Sequence, residues 1–258
     1  MHARYRTIVG SGIFIQSNWR MDITYAVGRL SEHMHNPSFE HYDAAIDLLR
    51  YLKHTADMGI VFCPPLLPIE TPLALDVISF FDADWAKEYD SKSVSGWIIS
   101  FVTPAEVDHF RSTGVIPRYN ASKWASKKQA QHVADSTESA ETVAGVSCTK
   151  DIIWHRDLLK TLRLMPDQYR PSLICGDNKS TMLSIKDDKL TQTNRWSARK
   201  TALMRQEFAN GNIEPWWVPS ATNLADGFTK HLPPNTHKLL FDLKMGKADV
   251  PHALHRDL

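Results

Sequence analysis

The stretch LALDVISFFDADW, residues 73–85, joins an apolar segment to two closely spaced carboxylates. The apolar and β-branched residues from Leu73 to Phe81 predict a strand that enters a core. Asp82 and Asp84 follow directly, although aspartate is a poor strand residue. A turn that ends the strand would explain them, because aspartate favours turns. A functional explanation requires acidic partners elsewhere in the chain.

The composition is that of an ordinary globular protein. The chain has 258 residues, of which 43% are hydrophobic and 23% are charged, enough for one large domain or two smaller ones. Its 30 Lys and Arg residues nearly balance 29 Asp and Glu residues, so the net charge indicates neither a membrane nor a nucleic-acid partner. A balanced total is still compatible with a basic face and therefore with nucleic-acid binding.

The cysteines and the hydropathy favour an intracellular protein. Cys63, Cys148 and Cys175 are odd in number and lack the spacing of metal ligands, which is typical of a reducing compartment. No apolar run approaches the roughly 20 residues of a membrane span, and the N-terminus lacks the pattern of a signal peptide. We therefore expect a protein of the cytoplasm or nucleus that is neither secreted nor bound to a membrane.

The first quarter of the chain predicts helices and then a linker. Within residues 22–53, apolar residues recur at helical spacing, and Asn36-Pro37 separates a first helix from a second helix over about 39–53. Residues 63–72, CPPLLPIETP, carry four prolines in ten residues, and prolines interrupt helices and sheet ladders. We therefore place a linker at 63–72, with separate segments at 1–62, 73–234 and a C-terminal tail at 235–258.

The second part predicts antiparallel strands followed by strands that alternate with helices. Strands are predicted at 73–81, 95–102, 121–125, 172–176 and 213–218, and helices at 136–162, 179–185, 198–210 and from about Asn223. The polar stretch between the second and third strands is interpreted as a surface excursion. This order predicts a mixed sheet with helices on both faces.

Acidic residues recur at predicted strand ends and helix starts, namely Asp82, Glu138, Glu141, Asp177 and Asp226. In an open α/β sheet these positions share one crevice. Carboxylates gathered there repel one another unless a cation lies between them, and Mg²⁺ prefers oxygen ligands. Each residue also has a structural explanation, because helix dipoles and helix caps favour acids at these positions.

Several stretches together resemble the C-terminal part of the Pol polyprotein of copia-type LTR retrotransposons. Residues 6–62 resemble the end of the reverse transcriptase and its connection, through RTIVGSGIFI, MDITYAVGRLSEHM, NPSFEHYDAAIDLLRYLKHT and GIVF. Residues 79–234 resemble the RNase H domain, through FDADWAKEYDSKSVSGWIISF, SKWASKKQ, DSTESAET, CGDNKS and NLADGFTKHLPP. The order and spacing of these pieces make the resemblance specific.

The resemblance implies an α/β, RNase H-like fold, a five-stranded mixed sheet flanked by helices and preceded by a small helical connection segment. It implies hydrolysis of the RNA strand of an RNA–DNA hybrid with two Mg²⁺ ions, for which Mn²⁺ is a possible substitute. The implied metal ligands and catalytic residues are Asp82, Glu141, Asp177 and Asp226. Glu138 is an alternative to Glu141, because the two share a helix face, and Asp84 is expected to support Asp82.

The resemblance also implies partners, namely the hybrid and the remainder of the Pol polyprotein, in cytoplasmic virus-like particles or in the nucleus. Selectivity for RNA would depend on contacts to 2′-hydroxyl groups. Candidate nucleic-acid-binding residues are Lys123, Trp124, Lys127, Lys128, Asn178, Arg195, Arg199 and Lys200. A solvated face explains such basic residues equally well, and Trp124 could instead be a core residue.

The sequence departs from the family pattern at four places. Residues 102–120 lengthen the connection between the second and third strands, ARKTALM replaces K-H-I-D, NWRMDI stands where TRPDI is usual, and CGDN where a cysteine commonly precedes DN directly. None of these changes removes an implied metal ligand. Three hypotheses follow: an RNase H nuclease, an inactive remnant that binds nucleic acid or a partner protein, and a scaffold whose acids only cap helices.

Overall fold

The computed structural model describes residues 1–62, 64–65, 67, 73–85, 92–117, 119–130, 134, 136–166, 170–187 and 198–246, with only the main chain for 198 and 199. Most of the predicted linker at 63–72, the side chains of Cys63 and Arg195, and the last part of the predicted tail lie outside these residues.

A five-stranded mixed sheet forms the centre of the fold. Its strands are β1 (Asp76–Asp84), β2 (Val94–Val102), β3 (Asn120–Lys128), β4 (Ser172–Gly176) and β5 (Ile213–Trp217), in the order β3-β2-β1-β4-β5. Strands β1, β2 and β3 pair antiparallel, whereas β4 pairs parallel with both β1 and β5. The α/β fold and the five-stranded mixed sheet that the sequence predicted are confirmed.

Helices cover both faces of this sheet. They are α4 (Pro104–Thr113), α5 (Thr137–Thr161), α6 (Lys179–Lys186), α7 (Ala198–Ala209) and α8 (Pro234–Lys244). Because side chains alternate along a strand, β1 sends Ile78 and Phe80 to a core that includes α4 and α8. Val77 and Phe81 point to the opposite core, which α5, α6 and α7 complete. Burial on both faces accounts for the almost continuous apolar run in β1.

Three N-terminal helices form a small bundle with its own core, α1 (His2–Asn18), α2 (Thr24–Ser31) and α3 (Phe39–His54). A buried ion pair closes one end of this bundle, where Arg20 Nη2 lies 2.7 Å from Asp22 Oδ2. Arg20 also donates to Thr55 at the end of α3, and the Tyr51 hydroxyl donates to Asp22. The stretch NWRMDI, which stands where TRPDI is usual in the family, therefore retains the arginine and the aspartate that tie α1 to α3.

The N-terminal bundle packs directly against the sheet. The indole of Trp124 on β3 donates to the main-chain oxygen of Gln16 at 2.8 Å. Lys128 on the same strand pairs with Glu32, with Nζ 2.5 Å from Oε2. Met21 belongs to the apolar core shared with β1 and α8. The described parts of segments 1–62 and 73–234 are therefore in contact.

The prediction of a surface excursion between β2 and β3 was wrong, because residues 104–113 form helix α4. Thr103 caps this helix by accepting from Glu106 N, and the Glu106 carboxylate accepts from Thr103 N, which is a capping box. Pro104 occupies the first turn, and Gly114 ends the helix at φ 72°. These residues are helix signals, and Val107 and Phe110 bury its apolar side.

The helix predicted from about Asn223 was also wrong. Two short 3₁₀ turns stand there, Ser220–Thr222 and Asp226–Phe228. The Asn223 side chain accepts from Ala225 N and donates to Phe81 O, both at 3.0 Å, so it fixes a turn against β1. Helix α8 begins only at Pro234, where proline is favoured in the first turn. The predicted tail therefore begins with a packed helix.

Two remaining features are the cysteines and possible membrane-spanning helices. Cys148 and Cys175 are buried and free. Among the described residues, no helix combines the length and apolar character needed to cross a membrane.

Candidate metal centre

Three carboxylates from distant parts of the chain meet at one edge of the sheet. β1 carries Asp82, the second turn of α5 carries Glu141, and Asp177 follows the last residue of β4. One carboxylate oxygen of each lies within 4.8 Å of the others. Asp82 is only 4% exposed and Glu141 3% exposed, while Asp177 is half-buried. The parallel pairing of β1 and β4 explains the meeting, because both strands end at the same edge.

The two glutamates at the start of α5 have different surroundings. Glu141 receives a hydrogen bond from the main chain of Ala83, and its Oε2 is buried without a hydrogen-bond partner. Glu138 instead accepts from the Ser180 hydroxyl on α6 at 2.6 Å. Glu141, and not Glu138, therefore belongs to the group with Asp82 and Asp177.

Asp226 lies beside this group and pairs with a lysine. Lys230 Nζ is 2.9 Å from Asp226 Oδ2 and 4.0 Å from Asp82 Oδ2. Asp226 is close enough that its charge acts on the pKa of Asp82, although it is outside the group of three. Sequence reasoning missed Lys230, although its position four residues after Asp226 could have indicated an ion pair between the two.

Hydroxyl groups orient two of the carboxylates. The Thr229 hydroxyl donates to Asp82, and the Ser220 hydroxyl donates to Asp177. Trp217, the last residue of β5, donates its indole N–H to the main-chain oxygen of Asp177 at 2.9 Å. These donors come from β5 and the turns that follow it, so this segment holds two of the carboxylates in place.

Gly96 on β2 makes room for the 226–229 turn. It pairs with Asp82 in the β1–β2 register. A Cβ at Gly96 would lie 2.7 Å from Thr229 Cγ2 and 2.8 Å from Phe228 Cβ, closer than real contacts allow. Sequence reasoning missed this role, although glycine inside a strand often marks a close approach of another segment.

The carboxylates raise one another's pKa values. Burial, followed by the charge of Asp226, raises the pKa of Asp82 to about 6, while Lys230 and Thr229 oppose the rise. Burial, Asp82 and Asp177 raise the pKa of Glu141 well above its usual range. Burial also raises the pKa of Asp226 against the effect of Lys230. The site therefore has an excess of negative charge that favours a cation.

The predicted nucleic-acid-binding residues lie in several different environments. Trp124 and Lys128 contact the N-terminal bundle through Gln16 and Glu32. Lys123 and Lys127 are exposed on β3, with Lys127 Nζ 5.2 Å from the centre of the Trp97 ring. Contact with nucleic acid stays a prediction for all of them.

Two other candidates, Asn178 and Lys200, neighbour elements that carry the acidic site. Asn178 caps α6 by accepting from Thr181 N at 3.1 Å. Lys200 Nζ lies 3.3 Å from Ser139 Oγ at the start of α5. Arg195 and the side chain of Arg199 are outside the described residues.

Comparisons with solved structures find RNase H proteins at low similarity. LC11-RNase H1, isolated from compost, is 15% identical with a TM-score of 0.40, over 60% of this chain and 92% of that chain. RNase H1 from Halobacterium salinarum is also 15% identical, with a TM-score of 0.38, over 59% of this chain and 93% of that chain. No protein-family model matches the chain.

Sequence comparison finds relatives among the Pol polyproteins of transposons. The retrovirus-related Pol polyprotein from transposon RE1 of Arabidopsis thaliana is 30% identical over 248 residues, 96% of this chain and 15% of that protein. The corresponding polyprotein from transposon TNT 1-94 of Nicotiana tabacum is 28% identical over 93% of this chain and 16% of its own length.

A third relative is a much shorter protein. Secreted RxLR effector protein 161 of Plasmopara viticola is 28% identical over 58% of this chain and 89% of its own length. This chain, in contrast, spans only about 15% of the RE1 polyprotein. Over nearly its whole length, the chain is homologous to a segment of the Pol polyproteins of copia-type retrotransposons.

Proposed function

We propose that the chain is a nuclease of RNase H type that hydrolyses the RNA strand of an RNA–DNA hybrid, as part of a retrotransposon polyprotein. The observation that carries this proposal is the group of three carboxylates within 4.8 Å of one another at the sheet edge. Two Mg²⁺ ions, with Mn²⁺ as a substitute, would be bound by Asp82, Glu141, Asp177 and Asp226.

The residues present fit such ions. Carboxylate oxygens are the ligands that Mg²⁺ prefers. Glu141 Oε2 and Asp226 Oδ1 are buried without a hydrogen-bond partner, and a buried polar atom without a partner is costly. The raised pKa values of Asp82 and Glu141 report mutual repulsion in a buried site, which a cation would relieve.

The protein's own groups would fix the geometry of the reaction. Thr229 and Ser220 hold the carboxylates of Asp82 and Asp177 through their hydroxyl groups. Lys230, whose side chain is 34% exposed, is available to an anionic phosphate on the open side. Paired metal ions, when bound, stabilise the negative charge that develops on a phosphodiester during hydrolysis. A water oxygen would form a new bond to phosphorus as the P–O3′ bond breaks, and the proton that the water loses balances the one that O3′ takes up, which leaves 5′-phosphate and 3′-hydroxyl ends.

The relatives support the proposed substrate and assembly. They are Pol polyproteins of transposons, in which hydrolysis of RNA within a hybrid is the expected task of an RNase H segment. The exposed Lys123 and Lys127 on β3 are the proposed backbone contacts. The rest of the Pol polyprotein is the proposed partner.

A cleavage assay on an end-labelled RNA–DNA hybrid with Mg²⁺ tests this proposal. We expect the parent protein to cleave the RNA strand and to leave duplex DNA intact. Asp82→Asn should abolish cleavage but keep hybrid binding, because it removes one carboxylate charge and preserves the side-chain shape. Chelation by EDTA should stop the reaction.

Asp157→Asn is the matched control. Asp157 lies on α5 like Glu141, but it is exposed and pairs with the exposed Lys160, so this variant should cleave as the parent does. Binding of the hybrid by the parent without cleavage would contradict the nuclease proposal and favour an inactive, nucleic-acid-binding remnant. Neither binding nor cleavage, with no effect of Mg²⁺ on thermal stability, would favour the scaffold hypothesis.

A further inference from the structure

A buried lysine lies beneath the acidic site and has no role in the function proposed above. Lys244, the last residue of α8, is 0% exposed. Its Nζ has no hydrogen-bond partner among the described residues. A charged group that is buried without a hydrogen bond is strongly unfavourable, so a compensating interaction is required.

Two aromatic rings and one glycine surround the ammonium group. Lys244 Nζ lies 4.4 Å from the centre of the Phe228 ring and 4.1 Å from that of Phe241, which are cation–π distances. A Cβ at Gly227 would lie 3.0 Å from Nζ. The ammonium therefore lies directly against residues 227 and 228 of the turn that also carries Asp226.

The acidic site compensates part of the cost of burying this charge. Burial lowers the pKa of Lys244 to about 7, and the charges of Asp226 and Asp82 oppose the fall. Asp226 Oδ1 is itself buried without a hydrogen-bond partner. Lys230 pairs with this carboxylate at 2.9 Å, and Lys244, which lies against the adjacent residues 227 and 228, adds a second positive charge near it.

We propose that Lys244 is a positioning residue, a buried cation that holds the 226–229 turn, and with it Asp226 and Thr229, against Asp82. The attraction to Asp226 and the contact with the Phe228 ring both draw the turn toward α8. Without the charge, the Asp226 carboxylate gains by moving outward to water, and the Thr229 hydroxyl moves away from Asp82. The importance of this placement for catalysis rests on the proposed nuclease function, whereas the placement itself does not.

Lys244→Met tests the inference, because methionine keeps the length and apolar contacts of lysine but not its charge. Lys238→Met is the matched control on the same helix, where Lys238 is 76% exposed and pairs with Asp242. The first measurement is amide hydrogen exchange at Phe228 and Thr229, which donate to Ala225 O at 2.9 Å and Asp226 O at 3.2 Å. We expect exchange at least about tenfold faster in Lys244→Met and unchanged in Lys238→Met.

Global stability separates positioning from a general structural role. Methionine removes the cost of burying the ammonium group but leaves Asp226 with one cation fewer, and because these two effects oppose each other, the urea midpoint of Lys244→Met should stay close to that of the parent. Faster exchange confined to the turn then reports a local effect. In hybrid cleavage, kcat should fall about tenfold while KM stays unchanged, because a fully buried residue cannot contact the substrate.

Parent-like exchange at Phe228 and Thr229 in Lys244→Met would overturn the inference, whatever the activity. So would a parent-like kcat in a protein that cleaves hybrid. A parent that never cleaves, combined with faster exchange in the variant, would reject the nuclease proposal and leave the positioning role supported. If Lys244→Met does not fold, Lys244→Gln repeats the test; failure of both to fold would overturn the inference, since a positioning residue is dispensable for folding.

Discussion

Asp82 and Asp84 are two residues apart on β1, and the tertiary structure gives them different surroundings. Asp82 is buried in the group with Glu141 and Asp177 and accepts from the Thr229 hydroxyl. Asp84 ends the strand and does not belong to that group. Because side chains alternate along a strand, Asp82 and Asp84 were predicted to point to the same face. Asp82 is the one that lies close enough to β4 and α5 to meet Asp177 and Glu141.

The raised pKa of Asp82 predicts a pH dependence of stability without metal. Between its unfolded pKa of 3.8 and its folded pKa of about 6, the folded state holds more protons than the unfolded state, so stability falls as pH rises through this window. Asp82→Asn lacks the part of this fall that comes from Asp82, whereas the raised pKa values of Glu141 and Asp226 still contribute to it. In EDTA at pH 7 we expect the free energy of unfolding of this variant to exceed that of the parent by about 3 kcal/mol.

Urea unfolding of parent and variant at several values between pH 4 and 7 measures this difference. The exposed-site variant Asp157→Asn should follow the parent at every pH. Parallel curves for the parent and Asp82→Asn would contradict the raised pKa.

Lys230 provides a second residue-scale prediction, because among the described residues it is the cation that forms ion pairs with both Asp226 and Asp82. Lys230→Met should lower the free energy of unfolding in EDTA by about 1 kcal/mol, since the side chain is one-third exposed and solvent weakens the pair. Added Mg²⁺ should raise the melting temperature of this variant more than that of the parent, because divalent cations then replace the missing charge.

Thermal unfolding with and without Mg²⁺ measures the effect. Lys238→Met, which removes an exposed ion pair on α8, should respond to Mg²⁺ as the parent does. An identical response of Lys230→Met and the parent would show that Lys230 does not neutralise the acidic site.

At the scale of elements, close packing of the 226–229 turn on β2 completes the site. The turn carries Asp226 and Thr229, and Gly96 opposite Asp82 lets it approach the sheet. Apolar patterns placed α5 and β4 correctly, and β1 to within three residues, since β1 extends through Asp84 and not only to Phe81. They failed for the turns at 220–228, where the side chain of Asn223 and not a helical pattern fixes the chain.

Gly96→Ala tests this packing. The added Cβ would overlap Thr229 and Phe228, so the turn must shift away from β2. We expect a loss of about 1–3 kcal/mol in the free energy of unfolding and a fall in hybrid cleavage by more than tenfold, because Asp226 and Thr229 move with the turn.

Gly10→Ala is the control, because a Cβ at this helical position meets nothing within 4 Å. It should leave cleavage unchanged and should stabilise α1 by up to about 1 kcal/mol. Full activity and parent-like stability in Gly96→Ala would show that the turn tolerates displacement.

At the scale of the whole molecule, the N-terminal bundle packs on β3 and α8. Trp124 and Lys128, which the sequence suggested for nucleic-acid binding, contact Gln16 and Glu32 in this interface. His237 at α8 also forms a hydrogen bond of 3.0 Å with the main-chain oxygen of Asp22. The bundle and the sheet therefore share structural residues, and we expect them to unfold together.

Trp124→Phe separates the two possible roles of this tryptophan. It removes the indole hydrogen bond to Gln16, so the free energy of unfolding should fall by about 1 kcal/mol, while KM for the hybrid should not change if the side chain only docks the bundle. Urea unfolding and hybrid titration measure the two quantities. An increased KM with unchanged stability would favour the nucleic-acid role; Trp154→Phe, at a 61% exposed position, is the control.

The sequence by itself determined the five strands, the helices α2, α3, α5, α6 and α7, and the acids at strand ends and helix starts, because apolar periodicity and residue chemistry are local properties of the chain. It also placed Asp82, Glu141 and Asp177 at strand ends and a helix start that share one edge of a sheet. Only the tertiary structure decided that Glu141 rather than Glu138 meets the other two, that Lys230 pairs with Asp226, and that Lys244 lies against residues 227 and 228 of the same turn. These contacts join residues far apart in the chain, and their distances depend on how helices and turns pack, which no local pattern encodes.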